Sequence, residues 1–254
     1  MASVFVLKAL MPDAVVFHDV LTESRLLRLG GATKLFYLGL AWWIATRTAA
    51  AVDPSNPTRR PWHWLAYGLF CFAAGQAILS TYQVLWGDSP YPSPGDVFFL
   101  AAYPLLIAAC FGLIRAYRDA GYPVGSTSEH VGLAGVAAAS FTWLGFRLLH
   151  PILSGPGRLL ERVLTASYPI LDFVLLIPIL ILLRIATGFR GGRIFTAWAT
   201  LLAGIVCLCA GDILYAYFAV MGQQGLDPLV DATYVLAYLF VVSGLLEHRA
   251  LLDT

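Results

Sequence analysis

The sequence predicts an all-α integral membrane protein, a seven-helix transmembrane bundle built as a parallel 3+1+3 internal repeat. Three observations predict it. Of 254 residues, 59% are hydrophobic and only 12% charged, against about 25% charged in a soluble domain. Seven apolar stretches, at 33–52, 62–86, 95–114, 131–149, 164–184, 195–220 and 228–246, have about the 20 residues that a helix needs to cross a bilayer core. The third observation is an internal match. Shifting the sequence by 136 positions superposes Trp62 on Trp198, Gly68 on Gly204, Cys71 on Cys207, Gly75 on Gly211 and Val84 on Val220. With one residue dropped in the loop, a shift of 135 superposes Asp96 on Asp231, Ala102 on Ala237 and Tyr103 on Tyr238.

From the N terminus, "MASVFVLKALMPDAVVFHDVLTESRLL" interrupts its apolar residues with Lys8, Pro12, Asp13, His18 and Asp19. It lacks the basic start and cleavage site of a signal peptide. Residues 1–32 are therefore expected to form an amphipathic segment on the membrane surface. Spans one to three make repeat one, 33–114, and spans five to seven make repeat two, 164–246; the span at 131–149 links them. An odd linker points both units the same way through the membrane, a parallel repeat. Chance similarity between apolar helices competes with duplication, but matched Trp, Cys and Asp are harder to reach by chance than matched Leu. Residues 247–254 are read as the start of a cytoplasmic tail.

Positive loops are retained in the cytoplasm. One side of the bundle holds Arg47, Arg59, Arg60, Arg115, Arg118, Arg184, Arg190, Arg193 and Arg249; the other holds Lys8, Arg25, Arg28, Lys34, Arg147, Arg158 and Arg162. The short loops at 87–94 and 221–227 carry no Lys or Arg, so they and the N terminus are placed outside and the C terminus in the cytoplasm. Cys71, Cys110, Cys207 and Cys209 fall inside spans and lack zinc-site spacing, so apolar packing is their expected role.

The acids carry the functional question. Ser93, Pro94 and Asp96 stand where an N-cap, a first helical residue and a capping acid belong, and Asp227-Pro228 can start span seven in the same way. Capping explains Asp96 but not Tyr103, seven residues on and on the same helix face; Asp231 and Tyr238 repeat the pattern. Asp212 and Asp172 lie too deep to be caps, and Gln76 is the counterpart of Asp212. An ionisable group inside a span is a functional-site hypothesis by default. By depth, Asp96, Asp172, Asp212, Asp231, Gln76, Tyr103, Tyr215 and Tyr238 all map to the outer half. Two readings of the set stand side by side: a pocket that opens outward and binds a small ligand or a proton, and a hydrogen-bond network that only joins helices, with Arg147 as a counter-charge.

Several classes are excluded. A retinal Schiff base needs a lysine in the last span, whereas Lys8 and Lys34 are the only lysines. Neither a phosphate-binding glycine loop nor a metalloprotease or hydrolase motif occurs, and the scattered arginines give no nucleic-acid footprint. No cofactor, no metal and no catalysis within the chain are expected.

The segment "SPYPSPGDVFFLAAYPLLIAACFGL" resembles the multi-span N-terminal membrane modules of bacterial cyclic-di-GMP signalling proteins. Pro92, Ser93, Asp96, Tyr103, Pro104 and Leu105 match a segment that opens a span in that family; Gly211, Asp212 and Tyr215 are similar to a second motif, and Asp231, Tyr234 and Tyr238 to a third. The resemblance covers most of residues 35–250. It implies a sensory module in the bacterial inner membrane, coupled to a cytoplasmic diguanylate cyclase or phosphodiesterase domain or partner, alone or as a homodimer. The chain departs from the family in lacking "GGDEF" and "EAL" signatures; its ending reads as the start of a signalling helix. The rival expectation is a small-solute transporter, because three-one-three repeats resemble the SWEET carriers and place cargo between repeats.

Overall fold

The computed structural model describes residues 1–11, 22–122, 124–155, 158–189, 192–221 and 227–252. Among these residues the chain is all-helical: α1 Ala2–Leu10, α2 Glu23–Ala51, α3 Arg59–Trp86, α4 Pro94–Asp119, α5 Thr127–Leu144, α6 His150–Ser154, α7 Leu159–Ala186, α8 Arg193–Met221 and α9 Asp227–Arg249. A π-helical turn, Gly145–Leu149, joins α5 to α6, and a 3₁₀ turn, Thr187–Phe189, follows α7.

Five helices, α3, α4, α7, α8 and α9, are long and apolar enough to cross a membrane. This is an all-α chain of membrane-protein type, with five such helices among the described residues where the sequence predicts seven. The two remaining predicted spans differ for separate reasons. Helix α2 is long enough, but Arg25, Arg28, Lys34 and Arg47 and its threonines dilute its apolar character, and it begins at Glu23, ten residues before the predicted span. The fourth predicted span is divided between α5 and the π turn, so no single uninterrupted apolar α-helix covers it. Residues 12–21, which hold much of the predicted surface segment, and loop residues 222–226 lie outside the described residues. Helix α1 leans on the bundle, with Phe5 buried beside Leu26, Ala232 and Val235.

Helix boundaries follow local chemistry. Pro94 opens α4, and the backbone N–H of Ser93 donates to Asp96 Oδ2 at 2.6 Å, the return half of a capping box. Helix α3 stops at Gly87, whose φ of 84° is the left-handed conformation that glycine adopts without steric cost.

The long helices pack as a closed ring in the order α2, α3, α4, α7, α8, α9 and back to α2. One apolar core runs through it, from Leu38, Trp62, Leu69 and Phe72 to Leu175, Leu182, Trp198 and Leu245. The approaches of α3 to α4 and of α8 to α9 are close at glycine. A Cβ on Gly68 would meet Leu106 at 2.7 Å and the Ala102 carbonyl at 3.3 Å; one on Gly204 would meet the Ala237 carbonyl at 2.9 Å and Val241 at 3.0 Å. At the end of the ring far from Asp96, His248 packs against Trp62 and Trp198, with ring centroids 4.5 and 6.2 Å apart.

A candidate ligand cavity

The first halves of α2, α4, α7 and α9 and the second halves of α3 and α8 meet at one end of the ring. There they enclose a cavity of about 410 Å³. Seven of the eight residues singled out in the sequence line it: Gln76, Asp96, Tyr103, Asp212, Tyr215, Asp231 and Tyr238. The eighth, Asp172, stands behind the wall with 0% exposure, where Tyr103 donates to its Oδ1 at 2.7 Å.

Each acid is tied to a different helix. Asp96 on α4 accepts from the Tyr168 hydroxyl on α7 as well as from the Ser93 N–H. Asp231 on α9 accepts from the Lys34 ammonium on α2 at 2.7 Å, with the two side chains 22% and 11% exposed. Asp212 on α8 accepts from the Tyr234 hydroxyl on α9. Asp172 on α7 and Asp212 on α8 are electrostatic neighbours. Asp172 Oδ2 is buried without a donor. Gln76 is buried and donates to Ser80 at 3.1 Å. At the mouth, Tyr91 pairs its hydroxyl with Thr165 at 2.8 Å and stands edge-on to Tyr215 at 6.4 Å. Burial in this loop pushes the Tyr91 phenol above its ordinary pKa, the Thr165 hydrogen bond opposing.

The capping and pocket readings of Asp96 are therefore not exclusive: one oxygen closes the capping box and the other faces a phenol of the next helix. Arg147 is a correction. It is exposed on the π turn and away from the cavity; the counter-charge is Lys34. The sequence reading missed Lys34 and Tyr168 because their partners are 197 and 72 residues away, and it noted Tyr234 only through the family resemblance.

Beneath the polar cavity, Phe72, Leu208 and Tyr238 form a floor. They also line a smaller space of about 60 Å³, otherwise walled by apolar residues such as Leu69, Leu175, Trp198 and Val241. Polar groups thus crowd one end of the bundle and give way to hydrocarbon below. Among the described residues no group of three or more His, Cys, Asp or Glu side chains is placed to hold a metal ion.

Fold and site together define a class, an all-α chain with membrane-capable helices ringed around a polar cavity at one end. No protein-family model, curated protein or solved structure matches the chain.

Proposed function

We propose that the chain is a membrane-embedded sensory module that binds a small ligand or a proton in this cavity. It passes the event to a cytoplasmic output domain or partner, in cyclic-di-GMP signalling as the sequence resemblance implies. One observation carries the reading: polar contacts of the cavity bridge α2 to α9 and α4 to α7, so an occupant that competes for these groups acts on helix–helix seams. A ligand shifts a conformational equilibrium only through differential contacts with its two states, and bridging groups supply such contacts.

The finer architecture belongs to the same proposal: seven spans in the bacterial inner membrane, N terminus outside and C terminus cytoplasmic, arranged as two parallel three-helix units around a linker. Matched neighbours support the duplication, since Gly68 approaches Ala102 and Leu106 as Gly204 approaches Ala237 and Val241, their counterparts at a shift of 135. The ring order supports it too, because α2, α3 and α4 follow one another around the ring as α7, α8 and α9 do.

A carrier is the second reading. It needs a path with polar footing toward both faces, and the apolar floor under the cavity favours the sensor. The test joins α9 through Thr254 to a soluble diguanylate cyclase as reporter. Asp212→Asn and Asp231→Asn are each expected to change cyclase output at least about fivefold, the lower end of ordinary coupling energies, at unchanged membrane levels. Equal output from the parent and both variants refutes coupling, and solute counterflow in proteoliposomes would establish the carrier.

A further inference from the structure

We propose that the cavity takes a small organic ammonium ion, its charged head among Asp96, Asp212 and Asp231 and its apolar body against Phe72 and Phe99. This deepens the sensor reading and rests on the cavity being a ligand site.

The hydrogen-bond inventory of the wall points to this class. The phenol donors of Tyr168 and Tyr234 are spent on Asp96 and Asp212, that of Tyr91 on Thr165, and the Thr165 hydroxyl hydrogen on the Glu161 carbonyl. What faces the space is dominated by carboxylate oxygens and aromatic rings. Carboxylates only accept, and a ring face attracts positive charge. The hydroxyls of Tyr238 and Ser89 can turn either way and do not decide the sign. Charge does: the described lining holds Asp88, Asp96, Asp212 and Asp231, and even without Asp212, which is buried beside Asp172, three acids outnumber Lys34, the single cation of that lining, which is already engaged.

The chain also carries its own stand-in. The Lys34 ammonium sits 2.7 Å from Asp231 Oδ1 and 5.7 Å from the centre of the Tyr234 ring, within the range of about 6 Å over which a ring face attracts a cation. It is a tethered alkylammonium in a carboxylate-and-aromatic cage, and it occupies one corner of a much larger space. The volume of about 410 Å³ lies within the range of about 300–1,000 Å³ usual for small-molecule sites. With no three-ligand metal group among the described residues, an organic cation fits the space better than a bare ion does. Lys34 then acts as the internal competitor: a ligand ammonium that reaches Asp231 loosens the tie between α2 and α9.

The test uses the full chain in lipid nanodiscs and three probes of similar shape: 2-phenylethylammonium, 2-phenylethanol and 3-phenylpropionate. Titration calorimetry and thermal unfolding are read for each. Saturable binding and stabilisation are expected from the ammonium alone. Asp212→Asn should weaken it about tenfold, the equivalent of about 1.4 kcal/mol, and Lys34→Ala, which frees Asp231, should tighten it by a similar factor. Lys34→Gln provides the same comparison if the alanine variant does not fold. Equal binding of the alcohol, or weaker ammonium binding after removal of Lys34, overturns the proposal. Stabilisation by the carboxylate alone overturns the cation class and leaves the cavity a ligand site; no response to any of the three overturns the class and removes the support for the cavity as well.

Discussion

Tyr103 and Tyr238 hold equivalent positions in the internal match, yet the structure gives them different work, and Tyr→Phe substitution separates the two. Tyr103 is 1% exposed and donates at 2.7 Å to Asp172, itself 0% exposed, across the seam between α4 and α7. Its ring stands edge-on to Phe72 with centroids 5.7 Å apart, a contact that phenylalanine keeps. Tyr103→Phe therefore removes one hydrogen bond and little else. Hydrogen bonds to charged groups contribute about 1.5–3 kcal/mol in soluble proteins, whereas interhelical bonds measured in a membrane protein average about 0.6 and reach about 1.7 kcal/mol. Burial and the absence of any donor on Asp172 Oδ2 put this bond at the upper end of the membrane range, about 1.5 kcal/mol. Among the described residues the Tyr238 hydroxyl has no hydrogen-bond partner and lines the cavity, so Tyr238→Phe should cost no more than about 0.5 kcal/mol. Reversible unfolding in mixed micelles, with SDS as denaturant, measures both. Adding Asp172→Leu to Tyr103→Phe should recover part of the loss, because removing both partners avoids an unsatisfied acceptor. Equal costs for the two tyrosines, within about 0.5 kcal/mol, would refute the assignment of Tyr103 as the donor that holds Asp172.

Two further outcomes follow from packing and from the loop between α2 and α3. Gly204→Ala sets a Cβ 2.9 Å from a backbone oxygen, whereas Gly68→Ala meets chiefly the movable end of Leu106; overpacking at the first should cost about 1–3 kcal/mol and clearly exceed the second in the same unfolding assay, and a reversed order would contradict the close approach of α8 to α9. In the exposed loop, the Ser55 hydroxyl and N–H hold the Asp53 carboxyl below its ordinary pKa, so this contribution to folding is complete above about pH 3.9 and is lost as the pH falls through the lower folded value. Ser55→Ala should raise the Asp53 titration midpoint seen by carboxyl-carbon NMR, and an unchanged midpoint would show that the backbone N–H alone sets it.

The acids were legible in the sequence because a carboxylate in an apolar run is costly and has few structural explanations, and a rise of about 1.5 Å per residue placed them at a common depth. Seven of the eight residues chosen that way share one cavity, and Asp172 lies behind it. The partners were not legible. Lys34 reads as an interfacial lysine until the fold brings α2 beside α9, and Tyr168 reads as one more membrane-boundary tyrosine until α7 comes beside α4. Helix adjacency is set by side-chain packing across the ring, which periodicity along a single helix does not encode. The same limit explains Arg147, whose charge has the right sign at a suitable depth but sits on the wrong helix, on a turn that faces outward.

The two kinds of seam in the ring differ in stiffness, and this connects the cavity to the far end of the bundle. Helices α8 and α9 interlock through Gly211 against Tyr234, Gly204 against the Ala237 carbonyl and Gly244 against the Ala197 carbonyl, and α3 and α4 interlock through Gly75, Gly95 and Gly68. Backbones in such contact have little room to slide without a clash, because close-packed interiors transmit displacement rather than absorb it. The seam between α2 and α9 has a polar tie near each end: Lys34 to Asp231 beside the cavity, and the Arg249 guanidinium donating to the Arg47 carbonyl at 2.7 Å at the other end. Asp231 and Arg249 are 18 residues apart on one helix, about 27 Å by helix rise. Loosening the first tie would thus bear on a rod that is locked to α8 along its length, and the resulting motion would emerge at Arg249 and at His248 between its two tryptophans. The proposed signal needs no path of its own through the core, because α9 joins the cavity to the far end as a single element.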